Sequence, residues 1–129
     1  MKKIFPIVLK VVAAFIMLQT LFFKFSGAQE SIHLFTAIAG DNEAIMRIGT
    51  GTLELIAAIL FFVPKKTWLG ALLTIGLMSG AILSHITILG IEFNNDGGAL
   101  FMSAIVTLLA GIILLIQNKK EIPFIGNTQ

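Results

Sequence analysis

The sequence predicts an all-α membrane protein: a four-transmembrane-helix bundle with a short interfacial helix between helices 1 and 2. Three observations predict it. Hydrophobic residues make up 57% of the 129 and charged residues only 12%, against about 25% charged in soluble domains. With a mean hydropathy of +0.96, a soluble fold of this length would have too little interior to hide its apolar surface, so a bilayer must cover the rest. The apolar residues also fall into four runs, each near the ~20 residues that cross ~30 Å of hydrocarbon. Finally, most lysines stand in pairs at the ends of those runs, where charge sets orientation.

The first run extends from Ile4 to about Phe25. Its start, Met1-Lys2-Lys3, and the small residues Ser26-Gly27-Ala28 resemble a cleavable signal peptide. The run is too long for a signal core, Lys24 sits beside the would-be cleavage site, and removal would leave three spans, so it is expected to stay as a span. Its phenylalanines (Phe5, Phe15, Phe22, Phe23 and Phe25) are expected to face lipid and the interface rather than line a quinone pocket.

Residues 29–39 carry Ile32, Phe35 and Ile38 at helical spacing, with Glu30 and His33 elsewhere on the wheel. This predicts a short interfacial helix over the outer mouth of the bundle, stopped by Gly40 and followed by Asp41 as cap of the next helix. The second run covers about 44–63. Pro64-Lys65-Lys66-Thr67 separates it from the third, about 68–90, in which Trp68 is an interface anchor. A polar stretch from Glu92 to Gly98 leads to the fourth run, about 99–117. The tail from Asn118 is polar and expected to fray. No linker-like segment interrupts the chain, so residues 1–129 are expected to form one domain.

Lys2, Lys3, Lys65, Lys66, Lys119 and Lys120 all fall on one side if the four runs cross, whereas Glu30, Asp41, Glu43, Glu92 and Asp96 fall on the other. The positive-inside rule then puts both termini in the cytoplasm of a bacterial-type inner membrane. The basic character is membrane-orientation chemistry and not a nucleic-acid footprint.

Several chemistries are excluded. There is no cysteine, which removes dithiol redox centres, thiolate metal sites and disulfides together. No His/Asp/Glu cluster has metal-ligand spacing. His33 and His85 lack the context of a haem pair, and Gly49-x-Gly51 lacks the third glycine of a dinucleotide loop.

What remains is a set of polar residues inside the spans, each costly in hydrocarbon and each by default a functional candidate. Glu54 lies near the middle of the second run. Arg47 is two turns away on the same helix face, with Thr50 and Gly51 between them. His85 lies about 8 Å from the outer end of the third run, which places it within a turn or two of the depth of Glu54. Gln19 and Lys24 occupy the outer half of the first. The five are expected to converge on the outer half of the bundle. They would line an outward-facing cavity for a small polar or redox-active headgroup, with His85 as partner of Glu54. The alternative is that Glu54 pairs with His85, Arg47 or Lys24 only to lock helices together. Lys24 and Arg47 also have stems long enough to snorkel.

Small residues at four-residue spacing mark close helix contacts. Gly76, Gly80 and Ser84 form one stripe and Ser103, Thr107 and Gly111 another. Both are expected to pack within the bundle, a homo-oligomer seam being the alternative.

These features together resemble the DoxX family of small four-helix membrane proteins. The carriers are Phe-Lys-Phe-Ser-Gly closing the first span (Phe23 to Gly27) and Arg-Ile-Gly-Thr-Gly-Thr-Leu-Glu-Leu in the second (Arg47 to Leu55), with Gly51-x-x-Glu54-Leu55 the most telling part. One founding member is associated with a thiosulfate:quinone oxidoreductase, and others look like accessory or assembly subunits. The resemblance implies a membrane role for Glu54, a quinone as the class of cofactor, and a protein partner. The family often has a lysine just after the glycine that follows the first span, whereas here Lys24 precedes Gly27. No cofactor-binding motif is visible in the chain itself, so it is read as a subunit and not a complete oxidoreductase. Two other functions compete: a small proton-coupled transporter using Glu54, similar in architecture to small multidrug resistance proteins, and a scaffold for assembling another membrane protein.

Overall fold

A computed structural model describes residues 4–19, 21–91 and 97–122. Every regular element among them is helical. The chain forms α1 (Ile4–Gln19), α2 (Leu21–Ser26), α3 (Gln29–Ala39), α4 (Glu43–Phe61), α5 (Thr67–Ser84) and α6 (Ala99–Gln117). A short 3-10 turn joins α3 to α4, a π-helical turn (His85–Leu89) extends α5, and a second 3-10 turn (Lys119–Glu121) follows α6. Four stretches are long and apolar enough to cross a membrane: Ile4–Ser26, Gln29–Phe61, Thr67–Leu89 and Ala99–Gln117.

The helix ends follow from local chemistry. Gly40 ends α3 with φ +59°, a conformation open to glycine and costly for other residues. The expected Asp41 cap does not form: Asn42 holds the cap position of α4 without a side-chain bond, and Asp41 lies in the intervening 3-10 turn. The Thr67 hydroxyl donates to the Phe61 carbonyl at 2.9 Å and ties the start of α5 to the end of α4. Glu92 to Asp96 of the polar connection lies outside the described residues, as does the tail beyond Ile122. The start of that tail does not fray: Ile122 is 6% exposed.

Three contacts fix the register, one between α1 and the parallel α5 and two between α5 and the antiparallel α6. The Thr74 hydroxyl approaches Met17 Sδ at 3.9 Å. Gly111 lies against Thr74, Ile75 and the carbonyl of Ala71. The His85 ring meets Phe101 edge-on at 5.7 Å, eleven residues up α5 from Thr74 and ten before Gly111. The core between the spans is built largely from small residues, Ala13, Ala14, Ala57, Ala58, Ala71, Ala104 and Ala110, closed by Met17, Phe61 and Leu114. Such residues let helices approach where lipid gives no hydrophobic drive for association. Large apolar side chains point outward instead. Phe5, Phe15, Phe23 and Phe25 are all at least 44% exposed, as expected for lipid-facing aromatics; the Phe22 side chain lies outside the described ones.

The two small-residue stripes behave differently. Thr107 and Gly111 are buried, Gly111 against α5, and Ser103 is half-buried, as expected. Gly76 and Gly80 are exposed, with nothing within 4 Å of an added Cβ, so that stripe does not pack within the bundle. The close approach on α5 is at Gly70, where a Cβ would fall 2.7 Å from the Ala57 carbonyl oxygen. Helices α4 and α5 therefore touch at Gly70 and part toward Gly76. The gap is an apolar cavity of about 270 Å³ lined by Leu53, Leu69, Leu72, Leu73, Gly76 and Leu77.

Candidate functional site

Two ion pairs, linked through the Lys24 backbone, sit where α2 lies on α4. Lys24 Nζ donates to Glu54 Oε1 at 2.5 Å, with side chains 12% and 5% exposed. Arg47 grips Glu43 with both arms of its fork, Nε to Oε2 at 2.9 Å and Nη2 to Oε1 at 3.3 Å. The third arm reaches across: Arg47 Nη1 donates to the Lys24 backbone carbonyl at 2.6 Å. Two cations and two anions make the cluster neutral, which lowers the cost of holding it in a low-dielectric surrounding.

The sequence builds this site locally. Glu43 and Arg47 are four residues apart on one helix, a spacing that brings side chains together, and Glu54 is two turns further along that face. Gly51 supplies the space for α2. A Cβ there would fall 2.9 Å from Phe25 Cε1 and 3.3 Å from Leu21 Cδ2. Without a side chain at 51, Leu21 and Phe25 seat directly on α4 and carry Lys24 within reach of Glu54. Gly27, at φ +73°, then turns the chain back into α3.

Of the five polar residues expected to converge, Lys24, Arg47 and Glu54 do. Gln19 does not: it is exposed at the end of α1. His85 is buried at 4% exposure but serves its own segment. Its Nδ1 lies 2.9 Å from the Gly90 carbonyl, which can only accept, so Nδ1 carries the proton. The Gly90 amide donates back to the His85 carbonyl at 2.7 Å and closes the π turn. Register explains why His85 is not the partner of Glu54. Gly70 lies against Leu60; counting up both helices from that contact separates Glu54 and His85 by about 13 Å along the bundle axis. That is more than the one or two turns expected.

Glu43 was missed as a member of the site, although its spacing to Arg47 was the signal for it. The 270 Å³ cavity is lined by none of the five residues. Among the described residues, no buried side-chain nitrogen or oxygen in the cluster or elsewhere lacks a hydrogen bond, and no three His, Asp or Glu side chains group as metal ligands.

No curated protein and no solved structure matches the chain. The DoxX family model matches residues 5–87, a stretch that begins in α1, takes in all four members of the charge cluster and ends in the π turn. Four apolar helices and this match over most of its length show that the chain belongs to the DoxX family of membrane proteins.

Proposed function

We propose that the chain is an accessory membrane subunit of a redox or membrane-homeostasis system, and that the Lys24–Glu54 cluster is where it engages a small polar or quinone-like headgroup. It lies in the cytoplasmic membrane with both termini inside, the lysine-rich end of the bundle facing the cytoplasm. The observation that carries the reading is the buried Lys24–Glu54 pair inside a span, since intramembrane ionisable groups are costly unless they serve a task. A carbonyl or hydroxyl headgroup entering beside α2 would exchange with Lys24 on Glu54, or accept from Lys24 directly. The exchange needs α2 to yield, and α2 is a six-residue helix held by the Arg47 fork and by contacts over Gly51. No chemical step is assigned to the chain alone.

A specific observation favours a second reading, a structural or assembly role. The cluster is neutral and its hydrogen bonds are already satisfied, as in a lock between α2 and α4.

Mass spectrometry of small molecules retained in mild detergent separates the two, with wild type beside Glu54→Gln. A specific molecule present in wild type and lost in the variant supports the ligand site. Bulk lipid alone in both, with the variant less stable, supports the lock. Proton-coupled flux abolished by Glu54→Gln would instead make the protein a transporter.

A further inference from the structure

We infer that the lysine-rich end of the bundle carries a seat for an anionic phospholipid headgroup, with Lys10 at its centre. Lys10 lies inside α1, on the helix face that carries Pro6, Ala13, Ala14 and Met17. Ala13, Ala14 and Met17 on that face are buried in the core and Lys10 itself is half-buried. A cation on the inward stripe of a span calls for a partner. Among the described residues, none is an acid: the ion pairs there join Lys24 to Glu54 and Arg47 to Glu43.

The register places Lys10 in depth. Met17 meets Thr74, and seven residues back along each helix, about 10.5 Å, lie Lys10 and Thr67. Gly111 also meets Thr74, and seven residues on from it lies Asn118. Thr67 in turn bonds the Phe61 carbonyl. Lys10 is therefore level with the end of α4, the start of α5 and the end of α6. Trp68, which favours the membrane interface, occupies the same layer. Lys65 and Lys66 follow α4, and Lys119 and Lys120 follow α6; all four are exposed. Five lysines thus face one glutamate, Glu121, among the described residues at this end.

A phosphodiester fits this arrangement better than a protein carboxylate would. The seat lies at the level of the membrane interface, where a lipid phosphate already resides, and basic groups between span ends recruit such headgroups. Beside Lys10, Ile7 and Val11 are 55% and 52% exposed and offer an apolar flank for the acyl chains. This seat is separate from the Glu54 cluster and does not depend on its role.

Trp68 is the only tryptophan and there is no tyrosine, so its fluorescence reports on this layer alone. The full chain is placed in phosphatidylcholine vesicles containing chain-brominated phosphatidylglycerol or, at equal fraction, chain-brominated phosphatidylcholine. Wild type should be quenched more by the anionic lipid, with half-quenching at a lower fraction. Lys10→Gln should weaken that preference about fivefold, the effect of one lysine near an anionic surface, and Lys10→Arg should keep it. Equal quenching by the two lipids in wild type would overturn the inference. So would a preference that survives Lys10→Gln, including one lost only on replacing Lys65 and Lys66. Inorganic phosphate added to phosphatidylcholine vesicles should leave Trp68 unchanged; a response to it would assign the seat to a free anion and overturn the lipid.

Discussion

Removing Lys24 and removing Glu54 should not cost the same, although each breaks the same ion pair. The Glu54 side chain is 5% exposed near the centre of its helix, whereas Lys24 is 12% exposed near the end of α2. In Glu54→Gln the amide keeps the shape and one acceptor, and the lysine stem can swing its ammonium toward the interface. The expected loss is that of a hydrogen bond to a charged group, about 1–2 kcal/mol. In Lys24→Met the carboxylate is left in the interior with no route out, at about 3–5 kcal/mol. The double variant leaves no charge behind and should cost less than Lys24→Met alone, giving a coupling of about 2–3 kcal/mol. The Arg47 bond to the Lys24 backbone carbonyl can persist in all four proteins, so the cycle isolates the side-chain pair. Reversible unfolding in mixed micelles, followed by far-UV dichroism, measures it. Additive single losses, or a larger loss for Glu54→Gln than for Lys24→Met, would refute the argument.

Other variants test other parts of the arrangement. Gly70→Ala forces a Cβ against the Ala57 carbonyl, backbone that cannot swing aside, and should destabilise by about 1–3 kcal/mol in the same unfolding assay. Gly76→Ala and Gly80→Ala meet open space and should be neutral or gain up to about 1 kcal/mol from helix propensity; a clear loss accompanied by a smaller particle on size-exclusion chromatography would show that this face joins two copies. Arg47→Lys cannot reproduce a fork that holds Glu43 and the Lys24 carbonyl together; it should cost about 1–3 kcal/mol and speed amide exchange in α2 before α5. His85→Phe keeps an aromatic ring against Phe101 but loses the bond to Gly90; a loss of about 1 kcal/mol and faster exchange at the Gly90 amide are expected, with retained small molecules unchanged.

The features legible in the sequence are those that depend on one helix at a time. Helix lengths, a separate helix over 29–39 and its stop at Gly40 follow from run length, periodicity and a turn residue, and the structure has helices with those bounds within a residue or two. Features that depend on how two helices lie against each other were not legible. Gly76-x-x-x-Gly80 and Ser103-x-x-x-Thr107-x-x-x-Gly111 look alike as strings, yet only the second faces the bundle, because α5 turns Gly70 and Ala71 inward. Lys10 was passed over for a related reason: it sits among apolar neighbours and belongs to no charged pair in the sequence, and only the contact of Met17 with Thr74 places it at the end of the core.

The Glu54 partner shows the same limit at the site itself. Depth along separate spans suggested His85, but depth counted from each span's own end ignores the offset between helices. The Gly70 and Gly51 contacts fix that offset. They bring Lys24, from the turn above, onto Glu54, and they leave His85 beside Phe101. The Gly51-x-x-Glu54 element that carried the family resemblance therefore has a physical content the string alone did not reveal. The glycine admits Leu21 and Phe25 against α4, and the glutamate one turn later receives the lysine they bring. A side chain at position 51 would disturb the ion pair without touching either charge, and on this argument Gly51→Leu should lose the Lys24–Glu54 coupling while both residues remain.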